Sequence, residues 1–359
     1  MQAQLAKKLL EVGGLLLDQE KAEVLIEPRA REEGFWFGGG NIAQAADGTF
    51  WLVGRYRNGG DSRVGIEAGP RGAELSLWKS EDGGESFEEA FSFLKDDLAP
   101  EGEEVLSIEG ASLCADESGV ELYVSSEKKR DYPARVKEFQ KSGTGVWSID
   151  VIQASEVEEL SDAEVKCVLR SEPPSWLHLK DPVVFDRDGV RTMLVCSHPY
   201  SWASTNTGFA LRDDETGEWK IKKWSIESRG PSWDVAVFRV TERFVLPESG
   251  SIDEKRCLYF YDGAECIHDH GGDRPKGYSC EEIGGLAAGP DGKFPDLTRL
   301  SVERPAFVSP HGTGCSRYCS VCDTGEQYLV TWQQSQPDFS QPLVVNRVEK
   351  AEVVGILEG

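Results

Sequence analysis

The sequence predicts an all-β fold, a five-bladed β-propeller with a short N-terminal helix, and three observations carry that prediction. Helical periodicity is almost absent after residue 20, where short alternating, β-branched and aromatic runs take over, punctuated by Gly, Asp, Pro and Ser. One unit recurs: a polar residue, an apolar strand, a Gly-containing turn and a second apolar strand. The 359 residues divided by five leave about 72 per unit, the length of a four-stranded blade with its connections.

The units run in order along the chain. The first is GNIAQAADGTFWLVGRYR from Gly40 and the second IEGASLCADESGVELYVSSE from Ile108. The third is KDPVVFDRDGVRTMLVCSH from Lys180; the fourth starts near WDVAVFRVT at Trp233 and resumes in CLYFYDG. The fifth is RPAFVSPHGTGCSRYCSVCDTGEQYLVTWQ from Arg304. Their leading polar residues, Asn41, Glu109, Asp181 and Asp234, lie 68, 72 and 53 residues apart, and Pro305 follows 71 residues later. SEDGGESF (Ser80 to Phe87) has the form of an Asp-box turn between outer blade strands, in which the Asp caps backbone N–H groups. LVVNRVEKAEVV (343 to 354) is expected to pair with AEVLIEP (Ala22 to Pro28) and close the ring. The N-terminal helix is expected over about 2–11, with Leu5, Leu9 and Leu10 on one face. No linker or shift in composition marks a boundary, so 1–359 reads as a single domain.

Composition narrows the function classes. Hydrophobic residues make up 39%, enough for a substantial core, while 63 acidic against 39 basic residues give a net charge of -24. Such a surface cannot neutralise phosphates, so nucleic acid is excluded as a partner. No segment approaches the ~20 apolar residues of a membrane span. Glu11 and two glycines interrupt the N-terminal apolar run and no small-residue cleavage site follows, against a signal peptide. Nine cysteines, an odd number scattered through strand-like segments, point to reduced thiols and a cytoplasmic location.

In a propeller the first strand of each blade lines the central channel, so residues remote in sequence converge there. Asn41, Glu109, Asp181 and Asp234 are the candidates for one polar funnel. Glycoside hydrolysis needs two carboxyl groups, one protonated and one ionised, and clustered carboxylates can split their pKa values in that way. Asp181 and Glu109 form the expected catalytic pair, with Asp234 as a third member, Glu281 or Glu282 as a substitute donor, and Asn41 hydrogen-bonding a sugar hydroxyl. Trp36, Trp51, Trp176, Trp202 and Trp233 are candidate stacking platforms. Arg55, Arg57, Arg63, His178, Lys180, His198, His311 and Arg317 form a cationic set suited to a carboxylate, sulfate or phosphate. His178 and His198 could act as acid or base near neutral pH. CIHDHGGD, with His268 and His270, has ligand-like spacing but reads better as a polar loop, and Cys315, Cys319 and Cys322 read as small buried side chains. No cofactor is expected, apart from room for a structural metal ion in the channel.

Several of these motifs resemble the five-bladed propeller glycosidases, the group holding glycoside hydrolase families 32, 43, 68, 117 and 130. KDPVVF is similar to the Asp-Pro strand starts of families 32 and 43 and to the Lys-Asp segment of family 130. IEGAS resembles the Glu-Gly-Pro acid motif of family 43, with Ala111 in place of proline. Residues 41–87 have a family 130 pattern, and EEIGGLAAGPDGKF (Glu281 to Phe294) resembles a hairpin common to the group. Unit one carries Gly-Gly-Gly-Asn where families 32 and 43 place a catalytic Asp. The order of the Glu and Asp motifs is also swapped relative to family 43. The resemblance implies the propeller fold and an exo-acting glycoside hydrolase, on a terminal sugar that an arginine-rich site would allow to be anionic. Phosphorolysis, or a lyase acting on a uronic acid, is the alternative within enzymes; a catalytically silent sugar-binding propeller is the alternative outside them.

Overall fold

The computed structural model describes residues 3–57, 71–100, 102–250, 254–266 and 281–359. It opens with helix α1 (Ala3–Leu16) and strand β1 (Glu23–Ile26). Blade one holds β2 (Trp36–Gly38), β3 (Ile42–Gln44), β4 (Phe50–Arg57), β5 (Glu74–Ser80) and β6 (Glu88–Leu94). Blade two holds β7 (Val105–Asp116), β8 (Gly119–Lys128), β9 (Val146–Ala154) and β10 (Val165–Leu169). Blade three holds β11 (His178–Arg187), β12 (Val190–His198), β13 (Asn206–Arg212) and β14 (Trp219–Lys223). Blade four holds β15 (Arg239–Val245), β16 (Arg256–Gly263), β17 (Ile283–Pro290) and β18 (Thr298–Arg299). Blade five holds β19 (Ser316–Asp323), β20 (Gln327–Gln334) and β21 (Leu343–Glu349), followed by helix α2 (Lys350–Glu358).

Each blade is an antiparallel meander, and β1 returns to pair with β21 as the outer strand of blade five. That closure is the one expected from sequence, although β1 pairs only with Leu343 to Val345 and the predicted segment is helical from Lys350 on. Local chemistry explains the inner hairpins. Asp47, Asp116 and Asp323 each accept a hydrogen bond from a backbone N–H two residues on, in the turns that join first and second strands. The Asp-box turn behaves likewise: the Asp82 carboxylate accepts from the N–H groups of Glu85 and Ser86, and Phe87 tucks into the core.

The core is divided among the seams between blades. Separate apolar clusters fill the junctions of blades one and two, two and three, three and four, four and five, and five and one. The junction of blades four and five is the largest because both helices add to it, through Leu9, Val12 and Leu16 of α1 and Val353 and Leu357 of α2. Helix α1 is longer than the expected 2–11, and its buried face runs through Leu9, Val12 and Leu16 while Leu10 is exposed. A Cβ on Gly13 would lie 2.3 Å from Leu286 Cδ1, so glycine lets the helix seat against blade four.

Candidate active site

The inner strands share one irregularity. Register shifts interrupt β7 between Ile108 and Ala111, β11 between Lys180 and Val183, β15 between Val240 and Glu242, and β19 between Arg317 and Ser320. In blade one the interruption is complete, and Gly39, Gly40 and Asn41 separate β2 from β3. Bulges re-aim side chains and pinch a ladder. Here they bring Gly39, Gly110, Asp181, Thr241 and Tyr318 together around the axis, leaving a void of about 20 Å³. That is room for about one water molecule, so the axis is closed below the funnel. Asp181 and Tyr318 hold φ of 48° and 54°, uncommon for residues with side chains. A Cβ on Gly110 would sit 2.5 Å from Asp181 Oδ1, which explains the glycine after Glu109.

Four carboxylates and four cations sit above this constriction. Arg55 donates to Glu109, and Lys180 Nζ lies 3.3 Å from the second oxygen of Glu109. Arg239 pairs with Asp181 at 3.2 Å, Asp262 at 2.8 Å and Glu282 at 2.9 Å, and Arg317 also donates to Glu282. Asp181 Oδ1 accepts from the N–H of Gly110 at 3.2 Å, which ties blade three to blade two beside Glu109. The side chains of Glu109 and Glu282 keep 17% and 16% of their surface open, against 6% for Asp181 and 3% for Asp262. Two carboxylates therefore reach the mouth and two lie beneath it.

Electrostatics follow from this pairing. Burial alone would raise the pKa of Glu109, but Arg55 and Lys180 outweigh it and hold the carboxyl well below its ordinary range. Burial is likewise opposed at Glu282, where Arg239 and Arg317 bring the pKa to about 2. Burial wins at Asp262, which rises to about 6 despite Arg239. Aromatic rings wall the funnel. The Arg55 guanidinium lies 4.2 Å from the Trp36 ring centre, Arg239 4.1 Å from that of Tyr318, and Lys180 Nζ 4.6 Å from that of Trp147.

No protein-family model matches the chain, and no curated protein matches it. Solved structures do. An α-L-arabinofuranosidase from Lactobacillus brevis is 11% identical, over 92% of this chain and 93% of that one, with a TM-score of 0.56. A family 43 β-xylosidase/α-arabinofuranosidase from a compost microbial metagenome, in complex with xylotriose, is 12% identical over 91% and 94%, TM-score 0.53. An arabinanase from Bacillus subtilis is 13% identical over 92% and 97%, TM-score 0.52. The chain has the five-bladed propeller fold of these glycosidases.

Of the residues singled out from sequence, Glu109, Asp181, Arg55, Lys180 and Arg317 meet in the propeller funnel. Others do not. Asn41 spends its side chain on blade two: Nδ2 donates to the carbonyl of Leu113 at 2.9 Å and Oδ1 accepts its N–H at 2.7 Å, which leaves a clamp between blades rather than a sugar ligand. Asp234 precedes β15 by five residues and is fully buried against Tyr261 and Arg299, so it adds no third carboxylate to the funnel. Trp233 is core, stacked on Tyr261 with its N–H on the carbonyl of Ser301. His178 and His198 stand behind Trp202, at ring distances of 4.2 and 4.6 Å. Burial, then the charge of Lys180, lowers His178 to about 3 and His198 likewise well below its ordinary value, so neither is an acid near neutral pH. His311 is exposed in the turn before β19, and Arg57 ends β4 opposite Trp36. Arg63, His268 and His270 lie outside the described residues. Among the described residues no three His, Cys, Asp or Glu side chains are grouped to hold a metal ion.

The sequence reading passed over Arg239, Asp262 and Tyr318. Arg239 and Asp262 face each other across the β15–β16 ladder, an unremarkable register position for charges until the ring closes. One signal was present: the 53-residue step to Asp234 is short against 68 and 72, and moving it forward brings the bulge of blade four to the axis.

Proposed function

We propose that the protein is a glycoside hydrolase that removes a terminal sugar from an oligo- or polysaccharide in this funnel. The observation that carries the reading is the pair of solvent-reaching carboxylates, Glu109 from blade two and Glu282 from blade four, above an axis closed by four bulges and the break in blade one. A pocket with a closed floor suits the end of a chain, and the neighbours named above are glycosidases of the same architecture. Glu109, held ionised, is the acceptor that takes a proton from the attacking water. Asp181 holds the bulge in register, and Glu282 accepts from a sugar hydroxyl. The four funnel cations already carry carboxylate partners, which favours a neutral sugar over a uronic or sulfated one. Free cysteines throughout the described residues favour a reducing compartment, the cytoplasm.

A panel of aryl glycosides and oligosaccharides, with and without inorganic phosphate, tests this. Release of free monosaccharide independent of phosphate is the expected result, and phosphate-dependent release would replace hydrolysis by phosphorolysis. Glu109→Gln is expected to lower kcat by about 10²–10⁴-fold while sugar binding persists. A second reading has its own observation. Blade one offers glycine at the axis and both mouth carboxylates are clamped by cations, which suits a silent sugar-binding propeller. Glycan binding by a wild type that never turns any substrate over would favour it.

A further inference from the structure

Among the described residues the funnel contains an ionised acceptor but no carboxyl group poised to give up a proton at its mouth. Glu109 and Glu282 are each clamped by two cations, and Asp262 is buried between the Arg239 guanidinium and the N–H of Tyr318. His178 and His198 are sealed behind Trp202. Cleavage of an unactivated glycosidic bond still needs the leaving oxygen to be protonated.

Tyr318 lines the void at the axis, beneath the two carboxylates that reach the mouth. It arises from the bulge of blade five, in a left-handed conformation that aims the residue at the axis. A Cβ built on Gly39 would lie 3.9 Å from Tyr318 Cζ and 3.7 Å from Gly110 Cα, ordinary contact distances that set the phenol beside the glycine of blade one. Its ring lies under the Arg239 guanidinium, with Arg317 5.2 Å from its centre and Trp36 at 6.5 Å. Asp181 lines the same void, and the backbone N–H of Tyr318 donates to Asp262, which ties the residue to the carboxylates of the cluster.

Resting on the hydrolase reading above, we propose that Tyr318 is the catalytic proton donor of this site, a phenol from blade five supplying what blade one lacks. As the bond from the anomeric carbon to the glycosidic oxygen breaks, its electron pair moves to that oxygen, which takes the Tyr318 Oη proton. Water adds to the anomeric carbon and gives its proton to Glu109. The phenolate, its ring under the Arg239 guanidinium, regains a proton from Glu109 through solvent, and the net change is glycoside plus water to sugar plus alcohol. Burial, and then the surrounding carboxylates working against Arg239, keep the hydroxyl protonated until charge develops on the leaving oxygen.

The test compares Tyr318→Phe with wild type on dinitrophenyl and methyl glycosides of arabinofuranose and xylose. The phenylalanine keeps the ring under Arg239, so the floor of the funnel stays filled. A dinitrophenolate leaves unaided; a methoxide does not. Expected is a loss of about 10²–10⁴-fold in kcat/KM on the methyl glycosides, with the dinitrophenyl glycosides kept within a few-fold. Equal losses on both substrates would make Tyr318 a positioning residue and overturn the proposal, and so would unchanged rates on both. A wild type that hydrolyses neither would instead remove the hydrolase reading on which the proposal rests, so the two failures are distinguishable.

Discussion

The centre of the funnel and the seam between blades four and five are both largely buried but are built from different materials. The apolar cluster of the seam brings Trp332, Phe260, Leu286 and Val344 against Leu9 and Leu357 from the two helices, all at most 1% exposed. The funnel packs four carboxylates against three arginines and a lysine, most of them less than 10% exposed. Burying apolar surface contributes stability directly. Burying paired charges roughly breaks even, while removing one partner is costly because the other is left without compensation. The seam is therefore where the ring gains its stability, and the funnel is where it keeps charge in fixed positions.

Substitutions can break that contrast from either side. Trp332→Ala in the seam should cost about 3–5 kcal/mol of unfolding free energy, read by urea denaturation, with kcat of the folded fraction unchanged. An altered kcat would show that the seam and funnel are coupled. Arg239→Met should cost stability on a similar scale, about 3–5 kcal/mol, because it strands Asp181, Asp262 and Glu282 together. Unlike the seam variant it should also raise the carboxyl titrations of the funnel, visible in the acid limb of the rate profile. A smaller effect is expected from Asn41→Ala, which removes both hydrogen bonds to the backbone of Leu113 at the edge of the funnel. A loss of about 1–3 kcal/mol without a change in KM would confirm a clamp, whereas a selective rise in KM would restore Asn41 as a sugar ligand.

The mildest test is pH. Glu282 titrates at about 2 in the folded protein against an ordinary 4.5, so its stabilising contribution is complete above about pH 4.5 and is lost as pH falls toward 2. Asp262 has the opposite sign: its folded value of about 6 exceeds the ordinary 3.8, so a destabilising contribution develops as pH rises from 3.8 through 6. Thermal denaturation of wild type and Glu282→Gln across acid pH should show their stabilities converging as pH falls from 4.5 to 2. Parallel curves would mean that Glu282 is not held by its arginines. The seam adds a titration of its own at higher pH: burial raises Glu242, which accepts from the N–H of Val321 across blades four and five, to about 7.

The repeat and its punctuation were legible in the linear order because they are local. Asp-Gly turns, two-residue alternation and the Asp-box turn depend on neighbours a few positions away, and the repeat they mark out set Glu109 and Asp181 at equivalent strand starts 72 residues apart. The register of blade four was not legible. Asp234 stands at the start of an apolar run just as Asp181 does, and only the folded ladder shows β15 starting at Arg239.

What the sequence determined by itself was the class of fold, the number of blades, the closure of the ring by strands from 22–28 and 343–354, and the presence of carboxylates and arginines on strands of the repeat. Tertiary structure alone decided which of those charges meet, that Asn41 and Asp234 are spent elsewhere, and that Tyr318 fills the axis beside Gly39. The reason is geometric. Strand patterning is set by contacts a few residues apart, whereas a side chain's partners at the axis depend on the register of five separate sheets, and shifting one by a single residue turns its side chains to the opposite face.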